Sequence, residues 1–242
     1  MIIGITGPSG VGKTTVSKML ALILGYKETL VLSGDDLHKW ERGNPNWNAY
    51  THLNPKANDL AKGTKDIKSL KEGHDIQRKL YNHDTGCFTE SMKISPQKNV
   101  ICEGLHSLYD KDARDLFDFS IYVETDFELK KEWKLKRDIQ NRGYTMEQVL
   151  DAMIKRMPDE QKYIVPQKKY AHAVIEFNKK GNEVELSYTC DDSKNHPTLD
   201  ELVALYNKYR EFLEISAKIY SKKMLAPNKG GNMSFRWNDV LS

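Results

Sequence analysis

The chain has 242 residues, with 37 basic side chains against 34 acidic ones, and its net charge of +3 is too small to argue for a nucleic-acid partner. Hydrophobic residues make up 39% and charged residues 29%, so any core must be carried by strands, and no apolar run approaches the ~20 residues of a membrane-spanning helix. Cys87, Cys102 and Cys190 are widely spaced with no C-x-x-C pair, which argues against a zinc site or a disulfide framework; with no basic leader ahead of the first apolar run, a cytoplasmic protein without membrane contact is expected.

The segment Ile2 to Thr6 is a short apolar run that reads as a buried parallel strand. It leads into Gly7-Pro8-Ser9-Gly10-Val11-Gly12-Lys13-Thr14, a complete G-x-x-x-x-G-K-T phosphate loop, and then into a helical stripe of Val16, Met19, Leu20 and Ile23. Glycines let such a loop curl so that successive N–H groups face a triphosphate at a helix N-terminus. ATP is therefore expected on Gly7, Ser9, Gly10, Val11, Gly12, Lys13, Thr14 and Thr15, with Lys13 at the β/γ-phosphates and the Thr14 hydroxyl on Mg2+.

Further apolar runs, Thr29 to Leu32, Asn99 to Cys102, Phe119 to Val123 and Ala173 to Phe177, alternate with helical patterns over Thr14 to Leu24, Ala57 to Lys71, Asp126 to Asn141 and Thr145 to Lys155. This alternation predicts an α/β fold with a parallel sheet covered by helices on both faces. Thr145 with Gln148, and Thr198 with Glu201, have the spacing of capping boxes. Val174 to Phe177 and Val184 to Tyr188 flank Asn178 to Asn182 as a hairpin, followed by an amphipathic pattern from Leu199 to Tyr220. One kinase-like domain over residues 1–242 is expected, with a core over 1–177 and a C-terminal hairpin and helix over 178–242. The apolar stripe of that last helix must be covered, either by its own domain or by a second copy in a symmetric homodimer.

In open α/β sheets ligands bind outside the carboxyl ends of the strands. Two acid-bearing segments fall there: Ser33-Gly34-Asp35-Asp36-Leu37-His38 and Glu103-Gly104-Leu105-His106. An acid beside a triphosphate can ligate Mg2+ or take the proton of an acceptor hydroxyl, and two acids from two strands permit both. Asp35 and Glu103 are the metal and catalytic candidates, whereas Asp36 has an even claim to be a turn cap.

The phosphate loop, Asp35 with His38 and Arg42, Thr51-His52-Leu53-Asn54-Pro55-Lys56-Ala57-Asn58-Asp59-Leu60, Tyr81-Asn82-His83-Asp84-Thr85-Gly86, Glu103-Gly104-Leu105-His106, Trp133 to Asp138, Arg142-Gly143-Tyr144 and Tyr163 to Ala171 together resemble phosphoribulokinases, in the phosphoribulokinase and uridine kinase superfamily. The resemblance runs in order from Met1 to Phe177. It implies a P-loop fold and transfer of the γ-phosphoryl group of ATP to a small sugar phosphate, with Asp35 as general base and Glu103 as the magnesium-side carboxylate. It also implies that His38 and Arg42 contact the sugar phosphate, and that Lys134, Arg137 and Arg142 belong to a helix and lid that close over both substrates, Arg137 stabilising the transferred group. Tyr81 is a pocket-wall candidate, and His83 and His106 are either substrate contacts or structural histidines. Two rivals stand beside this reading: a uridine kinase-like enzyme, whose pocket needs an aromatic clamp, and a nucleotide-binding regulator without transferase activity. A GTPase is disfavoured by the lack of N-K-x-D and D-x-x-G runs.

Overall fold

The computed structural model describes residues 1–181, 183–190, 198–204 and 206. In chain order its strands and α-helices are β1 (Ile2–Thr6), α1 (Lys13–Ile23), β2 (Thr29–Ser33), α2 (Leu60–Lys71), β3 (Ile76–Arg78), β4 (Tyr81–Asn82), β5 (Cys87–Phe88), β6 (Met92–Ile94), β7 (Asn99–Glu103), α3 (Lys111–Arg114), β8 (Phe119–Thr125), α4 (Phe127–Arg142), α5 (Met146–Asp159), β9 (Ala173–Lys180) and β10 (Glu183–Cys190). Six strands form one sheet in the order β10-β9-β8-β1-β7-β2. Every neighbouring pair is parallel except β9 and β10 at one edge. All five parallel runs are therefore where the apolar segments put them, and the sheet is α/β as expected.

Alternation along β1 divides the core in two. Ile3 and Ile5 pack with Val16, Met19 and Leu20 of α1 and with Leu129 of α4. Ile2 faces the other side, with Val100, Cys102, Ile67, Leu70 and Phe117. A sheet covered on both faces leaves its ligand-accessible polar groups at the carboxyl ends of the strands, here Ser33 and Glu103.

Local chemistry explains where the helices begin. The expected start of α2 at Ala57 moves to Leu60 because the Asp59 carboxylate accepts the Lys62 N–H and caps the helix there. Asn54 and Pro55 open a separate 3-10 turn over Pro55–Ala57. α5 starts with the capping box expected of Thr145 and Gln148, and runs through Pro158 to Asp159 before a π-helical turn over Glu160–Ile164.

The predicted hairpin is present but longer, because Asn178, Lys179 and Lys180 pair with Glu185, Val184 and Glu183. The boundary between 177 and 178 thus falls inside β9. Beyond it, residues 198–204 are helical, and Leu199 and Leu202 are buried against Phe177 and Leu186. The described start of the C-terminal helix is covered by the chain's own core, and the rest of its apolar stripe lies outside the described residues. Two small antiparallel pairs, β3 with β6 and β4 with β5, were not expected.

Candidate active site

The phosphate loop is shaped by glycines that no other residue can replace. Gly7 has φ 141° and a Cβ there would lie 2.1 Å from the Val123 carbonyl oxygen; Gly10 has φ 87° and a Cβ would meet the Lys134 side chain at 2.4 Å. Val11 is buried in the core, so it serves the loop through its backbone. Lys13 Nζ donates to the carbonyls of Gly7 at 2.9 Å and Pro8 at 2.7 Å. Burial pulls the Lys13 ammonium down to about 8, with Glu103 and Asp35 working the other way.

Glu103, at the end of β7, accepts from the Thr14 hydroxyl at 3.2 Å and the Ser17 hydroxyl at 3.0 Å. Burial raises its pKa against the opposing effects of Lys13 and these two hydroxyls. A carboxylate and a hydroxyl thus sit together beside the phosphate loop, an all-oxygen set that suits a hard cation. Among the described residues there is no group of three or more His, Cys, Asp or Glu side chains able to hold a metal unaided.

Asp35 lies in a 3-10 turn, Gly34–Leu37, where its own N–H donates to the Ser33 hydroxyl at 3.2 Å. Its carboxylate is 3.0 Å from His83 Nε2 and 3.6 Å from His38 Nε2. Burial would raise its pKa, but the His83 hydrogen bond and the neighbouring His38 outweigh this and hold it well below the usual carboxylate range. Asp36 points the other way: it accepts the Tyr81 N–H at 2.8 Å and faces Arg78 at 3.4 Å, with both side chains buried.

A cleft of about 1150 Å³ joins these groups, lined among others by Ser9, Gly10, Gly12, Lys13, Thr14, Thr15, Asp35, His38, Arg42, Tyr81, His83, Glu103, Arg137 and Arg142. Its volume exceeds the ~300–1,000 Å³ of a typical one-ligand pocket and is enough for two substrates side by side. His38 Nδ1 bonds the Asn58 amide oxygen at 2.8 Å, and its ring edge meets Trp47 and Tyr81. Tyr81 also packs edge-on against His83. The Arg42 guanidinium rests on the carbonyls of His83 and Asp84, so it is docked on the turn that carries His83.

Across the cleft, α4 supplies cations arranged around one acid. Asp138 is 2.8 Å from Arg137 Nε, 3.3 Å from an Arg142 nitrogen and 3.7 Å from Lys134 Nζ. Arg142 also reaches His83 Nδ1 at 3.4 Å, which links α4 to the neighbour of Asp35. Lys134 is buried beside the phosphate loop, 3.5 Å from the Ser9 hydroxyl. Burial together with Arg137 pulls Lys134 down to about 8.

The structure places His106 outside the cleft lining. Its Nε2 bonds the Leu53 carbonyl at 2.9 Å, the ring is buried, and burial pulls its pKa down to about 4. Burial and a backbone partner are what the structural reading of this histidine calls for. Sequence reasoning passed over His52, Asp138 and Arg156, all of which line the cleft. His52 is held well below its ordinary pKa by burial, with Arg156 and His38 adding to the effect. Asp138 and Arg142 have i, i+4 spacing, as do Lys134 and Asp138, which is the signal that could have flagged the acid as a shared partner.

The family model described as Phosphoribulokinase / Uridine kinase family matches residues 2–185. A phosphoribulokinase of Synechocystis sp. is 40% identical over 176 residues, covering 73% of this chain and 53% of the relative; that of Spinacia oleracea is 35% identical over 193 residues, covering 73% and 48%. The chain spans about half the length of these relatives. A uridine kinase of Macrococcus caseolyticus is 36% identical over 183 residues, covering 72% of this chain and 86% of that protein. Among solved structures, phosphoribulokinase from Rhodobacter spheroides superposes with a TM-score of 0.60 at 24% identity over 73% of this chain and 70% of that one, a likeness of fold. The strand order, the phosphate loop and the matched span together make this chain a member of the phosphoribulokinase and uridine kinase family.

Proposed function

We propose that the chain is an ATP-dependent kinase that transfers the γ-phosphoryl group to a hydroxyl of a small sugar phosphate, with ribulose 5-phosphate as the first acceptor to test. The observation that carries this reading is Asp35, an ionised carboxylate flanked by two histidines in the same cleft as Lys13 and Thr14. Asp35 takes the proton of the attacking hydroxyl, while Lys13 and the loop N–H groups hold the ATP phosphates. Arg137 stabilises the charge spread over the transferred oxygens, and Arg42, Arg142 and His38 receive the phosphate of the acceptor, with Tyr81 as a wall. Thr14 and Glu103, with Asp35 nearby, would hold Mg2+, which when bound neutralises charge between the β- and γ-phosphates. The phosphoribulokinase relatives at 35–40% identity support the acceptor class. A cytoplasmic location is part of this proposal.

A uridine kinase-like activity is the second reading, and one specific observation favours it. Trp47 and Tyr50 line the cleft, Trp40 stacks on Tyr50 with ring centroids 6.3 Å apart, and Trp47 meets Trp40 edge-on at 5.2 Å. Such a cluster could clamp a base. The two readings separate in an ADP-release screen of pentose, hexose and polyol phosphates beside free nucleosides. Turnover of a sugar phosphate supports the first; turnover of uridine alone hands the site to the second. ATP binding without turnover of any acceptor would favour a regulator.

A further inference from the structure

One buried ion pair outside the cleft lining touches both segments that form the base. Arg78 ends β3 with 4% of its surface exposed, and Asp36 has a side chain 6% exposed. The Arg78 guanidinium donates to the Ser33 carbonyl at 2.6 Å, the residue that opens the turn carrying Asp35. Its Nε lies 3.4 Å from Asp36 Oδ2, too poorly aligned for a hydrogen bond, and has no hydrogen-bond partner. The other Asp36 oxygen accepts the Tyr81 N–H at 2.8 Å, two residues before His83. From His83 the ring returns to Asp35 at 3.0 Å.

These contacts close a circuit. The turn is gripped at Ser33 and at Asp36, β4 is gripped at Tyr81, and the residues so fixed on the two segments, Asp35 and His83, meet. A buried ion pair with an unsatisfied nitrogen is a poor way to fill a core, where apolar side chains of similar size commonly do as well or better for stability. What this pair supplies in return is registry between two otherwise separate pieces of chain.

We propose that Arg78 and Asp36 are positioning residues that set the separation of Asp35 from His83 and so aim the Asp35 carboxylate at the acceptor hydroxyl. The inference rests on the reading of Asp35 as the base. Neither residue touches a substrate; each acts through the turn and through β4. Geometry of this kind is worth large factors in rate, since a misplacement of ~1 Å can lower turnover about a hundredfold.

The test uses the full chain with Arg78→Met, Arg78→Lys and Asp36→Asn beside Asp35→Asn. Expected is a fall in kcat of about tenfold to a hundredfold for Arg78→Met and Asp36→Asn with the KM for ATP unchanged, and recovery of most of the loss in Arg78→Lys. In spectra of protein labelled with 15N-histidine, the His83 imidazole signal, assigned with His83→Gln, should move in Arg78→Met while the His106 signal stays in place. A folded Arg78→Met protein with wild-type kcat overturns the proposal, as does a parallel loss in kcat and ATP affinity with an unmoved His83 signal. Loss of fold in all three variants makes the pair purely structural and overturns it too. Wild-type turnover by Asp35→Asn instead overturns the base reading, and the His83 signal in Arg78→Met then still reports whether the pair sets that contact.

Discussion

Replacing Asp35 by Asn isolates the chemistry of one oxygen atom, because the surrounding hydrogen bonds dictate how the amide must sit. The Asn58 amide nitrogen donates to the carbonyls of His52 and Asn54, each at 3.0 Å, so its oxygen accepts from His38 Nδ1. His38 Nδ1–H thus donates to Asn58, and the other ring nitrogen, Nε2, faces residue 35 at 3.6 Å. His83 Nδ1 faces Arg142, which can only donate, so His83 Nε2–H donates to Asp35. An asparagine keeps the His83 contact, its oxygen accepting that N–H, and occupies nearly the same volume. The fold should be kept, and the loss should concentrate in kcat, by about 10²–10⁴, equivalent to roughly 3–5 kcal/mol of barrier. The assay is initial-rate ADP release at saturating ATP and ribulose 5-phosphate, with ATP affinity measured separately by calorimetry. An asparagine variant with more than a tenth of wild-type kcat would show that Asp35 is not the base, and a dead Asp36→Asn protein beside it would move the role one residue along.

Three other outcomes follow from the same geometry. Arg42→Ala should raise the KM for a sugar phosphate about tenfold to a hundredfold, the value of a charge-assisted contact, and leave that for ATP unchanged; equal effects on both would move Arg42 to the nucleotide. His106, whose folded pKa is lowered to about 4, contributes stability above its unfolded pKa near 6.5 that is lost as pH falls toward 4, on the order of 3 kcal/mol in all. His106→Gln keeps a donor for the Leu53 carbonyl, so urea midpoints at neutral and acid pH should differ less for it than for the wild type, and an equal difference would refute the assignment. A chain ending at Asp192 loses the burial of Leu199 and Leu202, about 3–6 kcal/mol at 1.5–3 kcal/mol per side chain, so its thermal midpoint should drop whether or not light scattering finds the full chain dimeric. An unchanged midpoint would mean that this helix adds nothing to its own core.

Much of the framework could be read from residue order because it depends on short-range rules. The apolar runs of β1, β7 and β8 are buried on both faces, so they carry an uninterrupted signal, and the phosphate loop needs its glycines at fixed spacing. Asp35 and Glu103 could be found because strand ends are where such sheets bind ligands. What escaped was set by distant partners. Whether His106 faced substrate or core depended on Leu53, 53 residues away. Lys134 was expected among the cations over the substrates, but its burial comes from the approach of Gly10, which no periodicity encodes. The pairs β3 with β6 and β4 with β5 are too short and too polar to show alternation.

The grouping of three cations around Asp138 changes how the whole surface looks to a molecule arriving from solution. Seven basic side chains and four carboxylates line the cleft among the described residues, a surplus equal to the net charge of +3 of the entire chain. Elsewhere the charges of the two signs nearly cancel, so the protein is close to neutral at a distance and strongly positive at one mouth. Field lines converge there between low-dielectric walls, and at physiological ionic strength they persist for about 8 Å, roughly the reach of one polyphosphate. An anion arriving from solution would therefore meet this surplus of positive charge before it met the walls of the pocket.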